Sequence, residues 1–203
     1  MELAIFFIFV LLFFTICKNK MIQITTITTD LEIRQLLDLQ QVNLPKNISK
    51  ETALEQGFVT VQHNFELLRA MNEAIPQVIA KDGDEVVAYA LVMLPNFAEL
   101  IPVLQPMFHL FSTIDYGQKK VSDHNYYVMG QVCVGEKHRG LGIFEGLYHK
   151  HRDLYSTDYE VCITEIAARN IRSIRAHEKV GFKTIHTFED ETELWNVVAW
   201  DWK

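Results

Sequence analysis

The sequence predicts an α+β fold in which a mixed, mostly antiparallel, twisted sheet is flanked by helices on both faces. From residue 22 onward, strand-like segments alternate with segments whose apolar residues recur at helical spacing. Two apolar runs are separated by Lys81-Asp82-Gly83-Asp84, which is typical of an antiparallel hairpin because glycine tolerates a positive φ. The chain has 203 residues, of which 49% are hydrophobic and 22% charged, and this suits one globular domain.

The first half of the domain is predicted from apolar spacing and from helix-breaking residues. A β-branched stretch at 22–27 predicts the first strand. The predicted elements that follow are a helix from Asp30, a short helix from Ser49 to Gly57, a helix over 64–74, and strands from 77 and over 85–93.

The second half begins with a segment whose structure the sequence indicates only in part. Residues 98–111 have helical character that Pro102 and Pro106 interrupt. The elements predicted after it are a strand ending at Val134, a helix from Gly140, a strand over 159–166, a helix from Asn170, and final strands over 183–188 and 194–202.

Residues 3–16, LAIFFIFVLLFFTI, form an apolar run ahead of the domain. As a helix this run would extend about 21 Å, less than the ~30 Å of a hydrocarbon core. It lacks the positively charged start and the small-residue cleavage site of a signal peptide. Because Met21 directly precedes the first strand, we expect a domain at 21–203 and an extension at 1–20. A misplaced start explains that extension better than a weak membrane anchor does.

Charge and cysteine content exclude some classes of function. The net charge of −7 argues against nucleic acid, whose phosphates require a basic surface. It is compatible with a cationic amine substrate, and equally with a role in solubility alone. The cysteines (Cys17, Cys133 and Cys162) show no metal-ligand spacing, and the last two lie in apolar strands. We therefore expect no metal site, and reduced structural thiols in a cytoplasmic protein.

The most informative segment is the glycine turn at 131–144, QVCVGEKHRGLGIF. A strand ends at Val134, and a turn with two glycines leads into a helix, whose free N–H groups can bind a phosphate. Arg139 adds a permanent positive charge. The segment resembles the acetyl-CoA signature of the GNAT N-acetyltransferase superfamily, [Q/R]-x-x-G-x-[G/A]. Arg139 stands first and Gly142 in the glycine position, whereas Phe144 occupies the last position, where the family has Gly or Ala.

A second motif follows at 170–182, NIRSIRAHEKVGF. It is similar to the GNAT pattern N-x-x-[S/A]-x-x-x-Y-x-x-x-G-F, in which glycine ends a helix and phenylalanine begins a strand. Together the two motifs imply a GNAT fold over 21–203. In that fold the strands ending at Val134 and Ile166 splay apart, and the pantetheine arm of the coenzyme fills the gap.

The resemblance implies acetyl-CoA as cosubstrate. The turn from 139 to 144 would hold its pyrophosphate, and the strand at 132–134 would bind pantetheine and polarise the thioester carbonyl. The residues implied in coenzyme binding are Val132, Cys133, Val134, Arg139, Gly140, Leu141, Gly142, Ile143, Phe144, Asn170 and Ser173.

Two residues are candidates for catalysis. His177 occupies the position of the family tyrosine that often protonates the departing thiolate, and histidine can donate a proton near neutral pH. It could equally only pack against the coenzyme. Glu165, at the end of a strand facing the splay, is the candidate base for the substrate ammonium. The alternatives are an ion pair between Glu165 and Arg169 or Arg172, and a water chain in place of any single base.

The expected reaction is transfer of an acetyl group from acetyl-CoA to a primary amine of a small molecule or peptide, by direct attack on the thioester. One alternative keeps the fold but uses a longer acyl-CoA, with Phe144 shaping the acyl pocket. Another is a non-catalytic module that binds acyl-CoA. The sequence does not identify the amine, leaves a homodimer open, and gives no reason to expect a membrane partner.

Overall fold

The computed structural model describes residues 22–49, 59 and 61–202. The extension at 1–20 and residues 50–57 of the predicted short helix lie outside this part of the chain. The described strands are β1 (Ile22–Thr26), β2 (Val78–Asp82), β3 (Glu85–Met93), β4 (Asp115–Tyr116), β5 (Lys119–Lys120), β6 (Tyr126–Val134), β7 (Val161–Ala167), β8 (Lys183–Glu189) and β9 (Leu194–Asp201). The described α-helices are α1 (Asp30–Val42), α2 (Phe65–Ala74), α3 (Gln105–Phe111), α4 (Ile143–Tyr155) and α5 (Ile171–Val180).

Seven of the strands form one mixed sheet in the order β1-β2-β3-β6-β7-β9-β8, and β4 and β5 form a small separate hairpin. Each neighbouring pair in the large sheet is antiparallel except β6 and β7, which run parallel. The predicted α+β class with a mostly antiparallel sheet is therefore confirmed.

The parallel pair β6 and β7 separates after a short contact. The two strands pair only over 126–128 and 161–163. Beyond that point β6 stays paired with β3 as far as Val134, and β7 stays paired with β9 as far as Ala167. The register between β3 and β6 shifts at Gly130, which forms a β-bulge, and a bulge bends its strand. The sheet thus opens toward the carboxyl ends of β6 and β7.

Helices cover both faces of the sheet, as the sequence predicts. Side chains of α1, α2 and α3 pack into one apolar cluster, and side chains of α4 and α5 pack into another. Side chains of β3 alternate between the two faces of the sheet, so Tyr89 packs in the first cluster and Ala88 in the second. The second face is tightly packed, because a Cβ atom on Gly146 of α4 would lie 2.3 Å from Cδ1 of Ile24.

The connection from β3 to β6 is less regular than the predicted helix at 98–111. Two 3-10 helices, Pro95–Leu100 and Pro102–Leu104, precede α3. Proline has no N–H to donate and is tolerated only in the first turn of a helix, and each proline here lies in the first turn of a new element. Phe111 and Val121 anchor this connection with no exposed surface. Within the described residues, no helix is long and apolar enough to span a membrane.

Candidate functional site

A cavity of about 390 Å³ lies between the end of β6 and the starts of α4 and α5. Most of the residues predicted to bind the coenzyme line it, and they come from both sequence motifs. These residues are Val132, Cys133, Val134, Arg139, Gly140, Gly142, Ile143, Phe144, Asn170 and Ser173. Leu141 projects outward instead and is 63% exposed. The fold thus brings the two motifs to one cavity, although they are about 30 residues apart in sequence.

The glycine turn leaves the first backbone N–H groups of α4 without a side-chain cap. Gly140 and Gly142 have φ angles of 78° and 75°, and Gly142 is the N-cap of α4. A right-handed helix cannot include such angles, so α4 begins at Ile143 rather than at Gly140, where the sequence predicts it. No protein atom lies within 4 Å of the position that a Cβ would take at either glycine, among the described residues. The geometry is that of an anion site at a helix N-terminus.

Two hydrogen bonds hold Arg139 at the mouth of this turn. Its Nε donates to the carbonyl oxygen of Val134 at 3.1 Å, and its Nη2 donates to Oδ1 of Asn43 at 3.1 Å. The guanidinium is therefore fixed between the end of β6 and the end of α1. A positive charge fixed in this way needs little reordering to meet a phosphate.

Charged side chains of α4 and α5 meet across the opening of the cavity. Lys179 and Glu145 form an ion pair at 2.8 Å, and Lys179 holds the pKa of Glu145 below its usual value. Arg172 lines the same cavity. Lys179 and Glu145 neutralise each other, so the net positive charge of the residues that line the cavity comes from Arg139 and Arg172.

Asn170 shapes the start of α5. Its Oδ1 accepts a hydrogen bond from the backbone N–H of Ser173 at 3.0 Å, which makes Asn170 the N-cap of the helix. Asn170 and Ser173 both line the cavity. The second motif therefore contributes a helix start to the site, as the first motif does.

Glu165 lies on β7 where the strand has left β6. Since Val161 and Ile163 belong to the cluster covered by α1 and α2, the two-residue period of a strand turns Glu165 to that same face. Its Oε1 is buried and has no hydrogen-bond partner among the described residues. Burial, and then the charge of Asp190, raise the pKa of Glu165 to about 7. Arg169 pairs instead with Glu193 through contacts of 2.6 and 3.0 Å.

His177 lies beneath the cavity in an aromatic environment. It is 3% exposed, and its ring centroid is 5.2 Å from that of Phe144 and 5.1 Å from that of Phe182. Its Nε2 lies 2.5 Å from the hydroxyl of Tyr148, and its Nδ1 lies 2.8 Å from the carbonyl oxygen of Ser173. Burial lowers the pKa of His177 to about 4. The ring is therefore neutral at physiological pH, and its role as a proton donor stays a prediction.

A buried polar network near the splay was not predicted from the sequence. Oε1 of Gln131 on β6 accepts hydrogen bonds from Gln40 at 2.7 Å and from the hydroxyl of Tyr89 at 2.6 Å. Nε2 of Gln131 donates to the carbonyl oxygen of Val61, and the backbone N–H of His63 donates to Oε1 of Gln40. This network fixes the segment at 61–63 against α1 and β6. The feature of the sequence that could have indicated this network is Gln131, a glutamine inside an otherwise apolar strand.

The two described cysteines are free and buried. Burial raises the pKa of Cys133 to about 11 and that of Cys162 to about 12, so neither forms a thiolate at neutral pH. Over the described part of the chain, no group of His, Cys, Asp and Glu side chains is arranged to hold a metal ion.

The sequence and the structure were compared with those of known proteins. The family described as Acetyltransferase (GNAT) matches residues 35–182. Among curated proteins, the comparison finds no match.

Several solved structures share the fold. The ribosomal-protein-alanine N-acetyltransferase from Brucella melitensis is 18% identical, with a TM-score of 0.59 over 88% of this chain and 99% of that chain. The NatC complex bound to Gag peptide and CoA is 11% identical, with a TM-score of 0.61 over 89% and 98%. A spermidine N-acetyltransferase chimera from Vibrio cholerae and hSSAT is 13% identical, with a TM-score of 0.56 over 89% and 95%. At these sequence identities, the similarity to the solved structures shows a shared fold only.

Proposed function

The chain belongs to the acetyltransferase (GNAT) family, and from this premise we propose that it transfers an acetyl group from acetyl-CoA to a primary amine of a small molecule or peptide. The observation that carries the proposal is the cavity at the glycine turn. There an uncapped helix start, a fixed arginine and a strand that has left its neighbour all face the same space.

The cavity suits the separate parts of the coenzyme. The first-turn N–H groups of α4, together with Arg139 and Arg172, provide the donors and positive charge that a pyrophosphate requires. The edge of β6 at 131–134 is not paired with β7, so an extended chain with amide groups can take the place of the missing strand. The pantetheine arm has this character, and Asn170 lies on the opposite wall to meet it.

In the proposed reaction the neutral amine nitrogen attacks the thioester carbonyl carbon. The N–C bond forms, the C–S bond breaks, CoA leaves as the thiolate, and the proton that the amide nitrogen then loses converts the thiolate to the thiol. The attacking amine first loses the proton of its ammonium form, and we assign that proton to Glu165. A carboxylate with a pKa raised to about 7 is a stronger base than an ordinary glutamate and is still ionised in half of the molecules at that pH.

The assignment of Glu165 favours an enzyme over a non-catalytic binding module. A buried carboxylate oxygen without a hydrogen-bond partner costs folding free energy, and such costs are typical of sites with a chemical task. Proton donation by His177 to the departing thiolate is compatible with the fold only if the contact with Tyr148 opens first.

We propose an amine acceptor without choosing between a peptide and a small molecule. Structural neighbours include enzymes for a ribosomal protein and for spermidine, so the fold accommodates both kinds of acceptor. The buried free thiols support a reducing cytoplasmic compartment.

The test is calorimetric titration of the chain with acetyl-CoA. Arg139→Glu reverses the charge at the turn and should raise the Kd at least about tenfold, or about 1.4 kcal/mol. Arg175→Glu is the matched control, because it reverses an exposed arginine of α5 outside the residues that line the cavity. Thermal melting would verify that both variants are folded.

Binding and turnover separate the alternatives. No binding of acetyl-CoA by the wild-type chain would refute the proposal. Binding without release of CoA thiol, across a panel of primary amines and peptides, would favour the non-catalytic module. Faster turnover with a longer acyl-CoA than with acetyl-CoA would favour a different donor.

A further inference from the structure

One buried hydrogen bond joins the two helices that form the walls of the cavity. The hydroxyl of Tyr148 on α4 lies 2.5 Å from Nε2 of His177 on α5. Their exposed fractions are 0% and 3%. The rings of Phe144, Phe182 and Trp200 surround Tyr148 at centroid distances of 4.8, 5.3 and 6.3 Å. The bond therefore lies in a water-poor, aromatic environment, where an unpaired polar group is costly.

The direction of this hydrogen bond follows from the other ring nitrogen. Nδ1 of His177 lies 2.8 Å from the carbonyl oxygen of Ser173, and a carbonyl oxygen only accepts. Nδ1 therefore carries the proton, Nε2 is an acceptor, and the hydroxyl of Tyr148 donates to it. Both ring nitrogens and the hydroxyl are satisfied in this arrangement. The hydroxyl oxygen of Ser173, a residue that lines the cavity, also lies 3.3 Å from Nδ1. We call Tyr148 and His177, joined in this way, the closed pair.

The pair lies a short distance below the coenzyme-facing ends of both helices. On α4, Tyr148 follows Gly142 by six residues, which is about 9 Å along a helix axis. On α5, Ser173 both lines the cavity and accepts the hydrogen bond from His177. The distance between the start of α4 and the start of α5 thus depends on a contact that is itself outside the lining of the cavity.

A second connection between α4 and α5 is the ion pair of Lys179 and Glu145, whose side chains are 72% and 37% exposed. Exposed pairs are weakened by solvent and salt and hold geometry poorly. The buried hydrogen bond is therefore more rigid than this ion pair.

We propose that Tyr148 and His177 are positioning residues, whose hydrogen bond fixes the spacing of α4 and α5 and so the width of the coenzyme cavity. His177 acts through Tyr148 and does not donate a proton to the departing thiol. The inference rests on the proposed function only in taking the cavity as the acetyl-CoA site.

The first experiment compares two tyrosine variants of α4 by calorimetric titration with acetyl-CoA. Tyr148→Phe removes the bond to His177 and is expected to raise the Kd about tenfold. Tyr155→Phe is the matched control. Its hydroxyl is also buried, donates to the carbonyl oxygen of Pro76, and its ring packs against Tyr127 and Tyr159 rather than against α5. We expect both variants to lower the Tm, and Tyr155→Phe to change the Kd by less than about twofold.

A double-mutant cycle with His177→Phe tests the pair directly. If the two residues act as one unit, the double variant binds acetyl-CoA no more weakly than the weaker single variant. The pH profile of kcat is expected to keep its shape in all three variants. Loss of a limb of that profile in His177→Phe but not in Tyr148→Phe would overturn the inference, because it would identify His177 as a proton donor.

Two further outcomes keep the inference open to refutation. Equal changes of Kd in Tyr148→Phe and Tyr155→Phe would show a general effect of lost stability and would overturn it. Failure of the wild-type chain to bind acetyl-CoA would instead refute the proposed function.

Should the variants fail to fold, ¹⁵N spectra of the wild-type histidines provide the test. His177 is expected to keep the neutral Nδ1–H form over about pH 5.5–8, and titration near the ordinary histidine value of about 6.5 would contradict the closed pair.

Discussion

Glu165 makes the stability of the protein depend on pH in a way that one substitution should remove. Burial and the charge of Asp190 raise its pKa from 4.5 to about 7. Between these values the folded chain binds more protons than the unfolded chain, so the free energy of unfolding falls as the pH rises from about 4.5 to about 7 and is then constant. At about 1.4 kcal/mol for each pKa unit, the full effect is up to about 3 kcal/mol.

Glu165→Gln keeps the shape of the side chain and cannot ionise. We expect the variant to be as stable as the wild type at about pH 4, below the pKa of Glu165 in the unfolded chain, and more stable by up to about 3 kcal/mol at about pH 8. The assay is urea unfolding of both proteins at a series of pH values, with the difference between the two curves as the readout. Contributions from titrating groups that do not interact with Glu165 cancel in that difference.

Glu66→Gln on α2 is the matched control, because it removes one negative charge from an exposed side chain. A difference curve for Glu165→Gln no larger than that for Glu66→Gln would refute both the shifted pKa and the assignment of Glu165 as base. If the assignment is right, the same variant also loses the limb near pH 7 in the profile of kcat/KM, a limb that lies at about the pKa of the free enzyme's base.

Two further substitutions test the packing that supports the site. Gly181→Ala places a Cβ 2.5 Å from Nε1 of Trp200 at a φ of 121°, and should cost about 3 kcal/mol in urea unfolding, whereas Gly83→Ala, with φ 64° and open space around it, should cost only about 1 kcal/mol. Equal losses would contradict the contact with Trp200. Gln77→Leu should cost about 2 kcal/mol or more, because the buried amide of Gln77 bonds both the N–H and the carbonyl oxygen of Val92. A loss below about 0.5 kcal/mol would show that water replaces those bonds.

Local chemistry determined much of the fold before any tertiary contact was known. The hairpin could be predicted from the sequence because its turn requires a positive φ, which Gly83 adopts, and β2 and β3 flank that turn as predicted. The helix over 64–74 could be predicted because Asn64 is a suitable N-cap, and Oδ1 of Asn64 accepts a hydrogen bond from the backbone N–H of Leu67. Periodicity and caps are properties of neighbouring residues, so a sequence displays them directly.

The sequence also indicated most of the residues that line the cavity, since a glycine turn before a helix and an asparagine cap are local motifs. It could not place the β-bulge at Gly130, because a bulge depends on register with a partner strand. The polar network of Gln131 likewise joins residues as far as 91 positions apart. Such contacts exist only after the strands and helices have come together.

For the two catalytic candidates, the sequence determined the residue types and positions, and the tertiary structure decided their ionisation. The sequence determined that an ionisable side chain stands at 165, at a strand end, and at 177, within the helix of the second motif. Only the packing of aromatic rings around His177, and the burial of Glu165 near Asp190, decided which way each pKa moves. Burial opposes charge, so the same desolvation keeps the histidine neutral and makes the carboxylate a stronger base. That desolvation is a property of the assembled fold, because most of the atoms that exclude water from each group are distant in sequence.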